Sequence, residues 1–136
     1  MNTIPNSQIK KILTESKTIA VVGISRNPFK ISREIAGFLL ERGYNVVGVN
    51  PNLDIKIDSI EVYPSLLKIP YKIDIVNVFR KSNDIPEIIN DVLFVKPKVL
   101  WLQLGIRNDE AVEPVVREGI TVIQDTCIKV MYNILM

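Results

Sequence analysis

The chain has 136 residues, 47% of them hydrophobic, with 17 basic against 15 acidic side chains, one cysteine and no histidine. That size and apolar content suit a single domain over residues 1–136, and a net charge of +2 admits an anionic small molecule or a nucleic acid without requiring either. Without histidine, the chain by itself cannot supply a Ser-His-Asp triad, a phosphohistidine or a histidine-ligated metal, and one cysteine excludes an internal disulfide framework.

Strands and helices alternate along the chain. Ser7 to Ser16 reads as a helix with Ser7 as its cap and Ile9, Ile12 and Leu13 on one face, an N-terminal extension over residues 1–17. Residues 18–23 form an apolar, β-branched run, as expected of a strand buried on both faces. Ser32 to Arg42 is helical, with Ile35, Gly37, Phe38 and Leu39 toward the sheet and Gly43 closing it. Asn45 to Val49 is the second strand and ends at the turn pair Asn50-Pro51. Residues 52–62 are irregular, with a short edge strand at Ile60 to Tyr63, and Pro64 to Leu67 starts a helical turn. Ile73 to Phe79 is the third main strand, and Asp84 to Phe94 a helix that tolerates Pro86 in its first turn. Lys98 to Gln103 (strand), Asp109 to Glu118 (helix), Thr121 to Gln124 (strand) and Ile128 to Leu135 (helix) complete the pattern. The apolar segment at residues 130–136 suits packing on the domain or on a second copy of the chain.

This alternation predicts an α/β fold: a Rossmann-like, doubly wound parallel sheet with helices on both faces and main strand order 2-1-3-4-5. A ligand then binds beyond the carboxyl ends of strands 1 and 3, where the order reverses. Strand 1 delivers Ser25, Arg26, Lys30 and Arg33 to that edge. Strand 2 delivers Asn50 and Pro51; strand 3 delivers Phe79, Arg80, Lys81 and Ser82. These residues include five bases and no acid, beside a helix N-terminus with free backbone N–H groups, a setting suited to phosphate. Lys30 and Arg33 oppose the helix dipole, so a bound anion is their natural compensation. Gly23 permits close backbone approach at the strand-to-helix turn, and Ser32 is also read as a helix cap.

A dinucleotide fingerprint requires two more glycines and an acidic residue at the end of strand 2. The loop has one glycine, and strand 2 ends in the neutral Asn50-Pro51, which favours a multiply phosphorylated nucleotide over NAD. Phe79 is placed to press on an adenine or to line an extended arm, unless it is simply a core aromatic at a strand end. Tyr44, Tyr63, Tyr71 and Trp101 are not interleaved with the bases as a nucleic-acid stacking platform requires, and Trp101 reads as core.

Several separated motifs follow in order: Val21-Val22-Gly23-Ile24-Ser25, Val49-Asn50-Pro51, Tyr63-Pro64-Ser65-Leu66, Val78-Phe79-Arg80, Trp101-Leu102-Gln103-Leu104-Gly105 and Asp125-Thr126-Cys127-Ile128-Lys129. On these the chain resembles the small CoA-binding proteins, single-domain relatives of the CoA-binding domain of succinyl-CoA synthetase, from about Ile19 to Lys129. The resemblance implies coenzyme A or an acyl-CoA as ligand. Gly23, Ser25, Lys30, Ser32 and Arg33 would contact phosphates, and Asn50, Pro51, Phe79 and Arg80 would surround the nucleotide and pantetheine. Where the family often continues its last motif with an acidic residue and a histidine, Met131 and Tyr132 follow Val130 here.

The expected role is that of a carrier, sensor or partner-dependent module, with a protein partner or a second copy of the chain, and with no catalytic residue assigned. The alternative is an enzyme acting on a CoA thioester, or a dinucleotide-dependent oxidoreductase, with Asp125 and Cys127 as its candidate groups. Cys127 reads first as an ordinary buried small residue, and a mixed disulfide with the CoA thiol is a further alternative. The N-terminus lacks a charged-then-apolar signal layout and no apolar run approaches the roughly 20 residues that span a bilayer, so a cytoplasmic protein is expected.

Overall fold

The computed structural model describes residues 3–53 and 56–136. Its centre is an all-parallel sheet of six strands: β1 (Thr18–Val22), β2 (Asn45–Val49), β3 (Val62–Tyr63), β4 (Ile75–Val78), β5 (Val99–Leu102) and β6 (Thr121–Ile123). Five helices accompany it: α1 (Asn6–Glu15), α2 (Ile31–Glu41), α3 (Pro86–Val95), α4 (Asp109–Arg117) and α5 (Ile128–Leu135). The strand order is β3-β2-β1-β4-β5-β6. Its five main strands follow the expected doubly wound order, and β3 adds a short sixth strand outside β2.

The sequence explains why the inner strands are buried on both faces. Every residue of β4 (IVNV) and β5 (VLWL) is buried, and β1 is exposed only at Thr18. Alternate residues divide between two cores. Ile19, Val21, Ile75, Val99 and Trp101 pack beneath α1, α2 and α5, against Ile9, Leu13, Ile35, Leu39 and Ile128. Ala20, Val22, Val76, Val78, Leu100 and Leu102 pack beneath α3, α4 and the turn at Leu66–Lys68. Burial of such aliphatic side chains, roughly 1.5–3 kcal/mol each, is the main stabilising term.

Several local expectations are corrected. α1 begins one residue before Ser7, with Pro5 in the capping position, because proline's fixed φ suits a helix entry. α2 is preceded by Lys30, which makes no side-chain cap, so Ser32 lies within the first turn and is buried. Gly37 does not pack on the sheet: a Cβ added there meets nothing within 4 Å. α3 starts at Pro86, after a separate 3-10 turn at Ser82–Asp84. Gly43 does close α2, with φ +95°.

Two polar anchors lie away from the carboxyl edge. At the opposite edge, Asp74 Oδ2 accepts the backbone N–H groups of Lys17 (2.8 Å) and Thr18 (3.0 Å), and Oδ1 lies 3.7 Å from Lys98 Nζ. Burial works to raise the pKa of Asp74, but these donors and the Lys98 and Lys72 ammoniums outweigh it and hold it below 3.8. The Tyr44 hydroxyl donates to the Leu13 carbonyl, tying the start of β2 to α1. Burial, reinforced by Tyr132, pushes Tyr44 up to about 12. α5 packs on this layer through Ile128, Met131, Tyr132 and Leu135, and leaves Val130, Ile134 and Met136 exposed.

Candidate functional site

The crossover through α2 covers one face of the sheet, and those through α3 and α4 cover the other. The change of side falls between β1 and β4. Their register pairs Val22 with Val78, so the next residues, Gly23 and Phe79, meet at the carboxyl edge. Gly23 N donates to Val49 O and Phe79 N to Val22 O, both at 2.8 Å. Gly23 has φ +89°, and a Cβ there would lie 3.3 Å from the Phe79 carbonyl carbon. Only glycine meets both demands without strain.

Two cavities open on either side of this junction. The larger, about 460 Å³, lies between the loops after β1, β2 and β4; its lining includes Asn50, Pro51, Ser65, Phe79 and Arg80. The smaller, about 240 Å³, lies at the N-terminus of α2 and is lined by Ser25, Lys30, Ile31, Ser32, Gln103 and Leu104, among others. Gly23 and Phe79 line both, so the two cavities adjoin at the switch point.

The loop from β1 to α2 is built by its own polar side chains. Ser25 Oγ accepts Asn27 N–H and Asn27 Oδ1 accepts Phe29 N–H, at 3.0 and 2.9 Å. Ser32 Oγ accepts Ser25 N–H at 3.0 Å, which pins the loop to the helix. Ile31 and Ser32 N–H groups have no acceptor among the described residues, as first-turn donors ordinarily lack one. Lys30, beside them, makes no ion pair among the described residues.

The expected row of free bases is reduced. Arg33 lies largely beneath the loop, where its guanidinium donates to Arg26 O (2.8 Å) and Asp58 Oδ2 (2.7 Å). Arg80 Nη2 lies 3.4 Å from Glu87 and 3.7 Å from Asp84. These acids lie outside the three edge loops: folding brings Asp58 in from the irregular segment and Glu87 from α3. The charge of Arg33 is thus compensated by a carboxylate of the chain itself, whereas Lys30 has no such partner among the described residues.

Asn50 is a bracket more than an open ligand group. Its Nδ2 donates to Ile24 O (2.8 Å) and its Oδ1 accepts Asn52 N–H (2.9 Å), joining the loops after β1 and β2. Asp125, with φ +52°, accepts Gly105 N–H, and Cys127 packs half-buried against the core. Arg107 pairs with Asp109 at 3.1 Å, and the hydrogen bond from Gln124 together with Arg107 holds Asp109 below its ordinary pKa. The β5 and β6 loops are therefore tied to one another.

Gln103 ends a predicted strand and Ser65 lies in a motif of the sequence, but neither they nor Asn77 and Asn52 are among the expected site residues. Two of these carried a signal. Asn77 and Gln103 interrupt or end otherwise apolar strand runs, where a polar residue requires a reason.

The sequence profile of the CoA-binding domain matches residues 17–133. The chain belongs to the CoA-binding domain family. It is 39% identical over 128 residues to the uncharacterized protein YneT of Bacillus subtilis, covering 94% of each chain. A Thermus thermophilus protein, cell-free ID.343, superposes with a TM-score of 0.94 at 31% identity, over 98% of this chain and 100% of that one. A 74-residue segment, 53% of this chain, is 35% identical to an ADP-forming acetate–CoA ligase of Archaeoglobus fulgidus, of which it spans 11%. No helix among the described residues is long and apolar enough to cross a membrane.

Proposed function

We propose that this chain binds coenzyme A, or an acyl-CoA, along the adjoining cavities at the carboxyl edge, as a carrier, sensor or partner-dependent module without chemistry of its own. The observation that carries this reading is the adjacency of the two cavities at Gly23, with Lys30 and the Ile31 and Ser32 N–H groups, which have no partner among the described residues, beside the smaller one. A ligand with an adenosine at one end, a pyrophosphate in the middle and a long arm at the other fits two cavities that adjoin in this way. The family membership and the segment shared with a ligase named for CoA point to the same ligand.

In this reading the adenosine occupies the larger cavity, against Pro51 and Phe79, with Arg80 at its flank and Asn50 holding the wall in place. The pyrophosphate lies over Gly23 and receives the α2 N–H groups, Lys30 and the hydroxyls of Ser25 and Ser32. Arg33 supports the loop from beneath. The chain acts as one domain, and a cytoplasmic setting follows from the ligand proposed. A dinucleotide-dependent oxidoreductase is less well supported: β2 ends in an amide whose two polar atoms are already engaged, so no carboxylate stands there for a ribose diol.

Calorimetric titration with CoA and with dephospho-CoA tests the proposal. Saturable one-to-one binding of CoA supports it. Heats no larger than dilution for both ligands at near-millimolar concentration would refute it.

A further inference from the structure

Gln103, the residue after β5, is 4% exposed and lines the smaller cavity. Its amide orientation is fixed by a backbone donor: Ile128 N–H, at the start of α5, points to Oε1 at 3.3 Å, and Asn77 Nδ2 to the same oxygen at 3.4 Å. The acceptor end is thus committed to the protein. The donor end is not, since Nε2 has no acceptor among the described residues and is not sealed in the core. A nearly buried amide with an unused donor at a cavity wall is a group waiting for an acceptor.

Asn77 strengthens the point. It is fully buried in the centre of the sheet, between Val21 and Trp101, where an aliphatic residue would suit the surroundings. Its Nδ2 reaches Trp101 O at 3.3 Å as well as Gln103, while its Oδ1 has no partner among the described residues. A buried unpaired carbonyl oxygen is destabilising. Asn77 helps to hold Gln103 in one orientation, which a purely structural core would not need.

We propose that Gln103 is a specificity-determining residue that reads a carbonyl oxygen on the arm of the bound ligand, donating from Nε2 inside the smaller cavity. The inference rests on the CoA reading above and deepens it. Ile31, Leu104 and Ile106 line the same cavity alongside Ser25, Lys30 and Ser32, so beyond the groups assigned to phosphate it offers apolar surface that suits the uncharged arm. Two carbonyl sources share this chemistry, the amides of pantetheine and the thioester of an acyl-CoA.

The test combines a variant with a direct probe on the unmodified chain. Gln103→Glu keeps an oxygen for Ile128 and Asn77 and replaces the donor with an acceptor. It is expected to weaken CoA binding at least tenfold while leaving adenosine 3′,5′-bisphosphate, which has no arm, within twofold. In the wild-type protein the side-chain amide proton signals of Gln103 should shift on ligand addition and stay in place with the bisphosphate. A shift with CoA identifies a pantetheine amide, and a shift with acetyl-CoA alone identifies the thioester; either supports the proposal. CoA or acetyl-CoA binding with unmoved Gln103 signals would overturn it while leaving the CoA reading intact. No binding of CoA, acetyl-CoA or the bisphosphate would instead sink the CoA reading.

Discussion

Gly23→Ala tests whether the junction of β1 and β4 depends on the absence of a side chain. Two terms add. The φ of +89° costs an alanine about 1–2 kcal/mol, because its Cβ crowds the backbone. The added Cβ also lies 3.3 Å from Phe79 C and 3.4 Å from Phe79 O, a backbone that cannot move without disturbing the β1–β4 ladder; that overpacking is worth about 1 kcal/mol. The reduced freedom of the unfolded chain returns roughly 0.4–1 kcal/mol. The net expectation is a loss of about 1–3 kcal/mol, read as the shift in urea midpoint at unchanged slope. Gly43→Ala isolates the first term: its φ is +95°, but its Cβ meets nothing within 4 Å, so it should lose about 1 kcal/mol less than Gly23→Ala, or about 0–1.6 kcal/mol. The same Cβ at position 23 enters the wall shared by both cavities, so CoA affinity should fall at least tenfold for Gly23→Ala and stay level for Gly43→Ala. Equal stability losses in the two variants, or unchanged CoA affinity at position 23, would refute the reasoning.

Lys30→Ala should weaken CoA about fivefold at low salt, the loss shrinking as salt rises, while exposed Arg26→Ala, outside both cavities, changes it less than twofold; equal effects in calorimetry would remove Lys30 from the phosphate site. Asn50→Asp leaves Ile24 O without its donor and should lower stability by about 1–3 kcal/mol and weaken CoA; an unchanged urea midpoint would contradict the bracket role. Asp74→Ala removes a charged acceptor of two backbone N–H groups and should cost about 2–3 kcal/mol near neutral pH. Because folding lowers the Asp74 pKa, that stabilisation is present above the ordinary value of 3.8 and lost as pH falls through the lower folded value. Wild type and variant should therefore converge in acid, and a stability gap that persists there would exclude the carboxylate as its cause.

Local pattern determined much of this protein. The runs at residues 18–22, 75–78 and 99–102 are too apolar to face water on either side, so they had to become inner parallel strands, and Gly23 marked the turn at the switch point. The alternation of strands with helices then set the order, and with it which loops share an edge. What pattern could not supply was pairing at a distance. Arg33 read as a phosphate contact and Arg80 as a neighbour of the nucleotide and pantetheine, and folding brings Asp58 and Glu87 against them. Asn50 read as a ligand contact and proved to have both polar atoms committed to neighbouring loops. Gln103 was legible as a polar residue at a strand end, but its free donor depended on Ile128, 25 residues further along the chain. Backbone periodicity is a local property, fixed by which face each residue must bury. Whether a charge or an amide is satisfied depends on what folding places within about 3 Å of it, and that belongs to the tertiary structure alone.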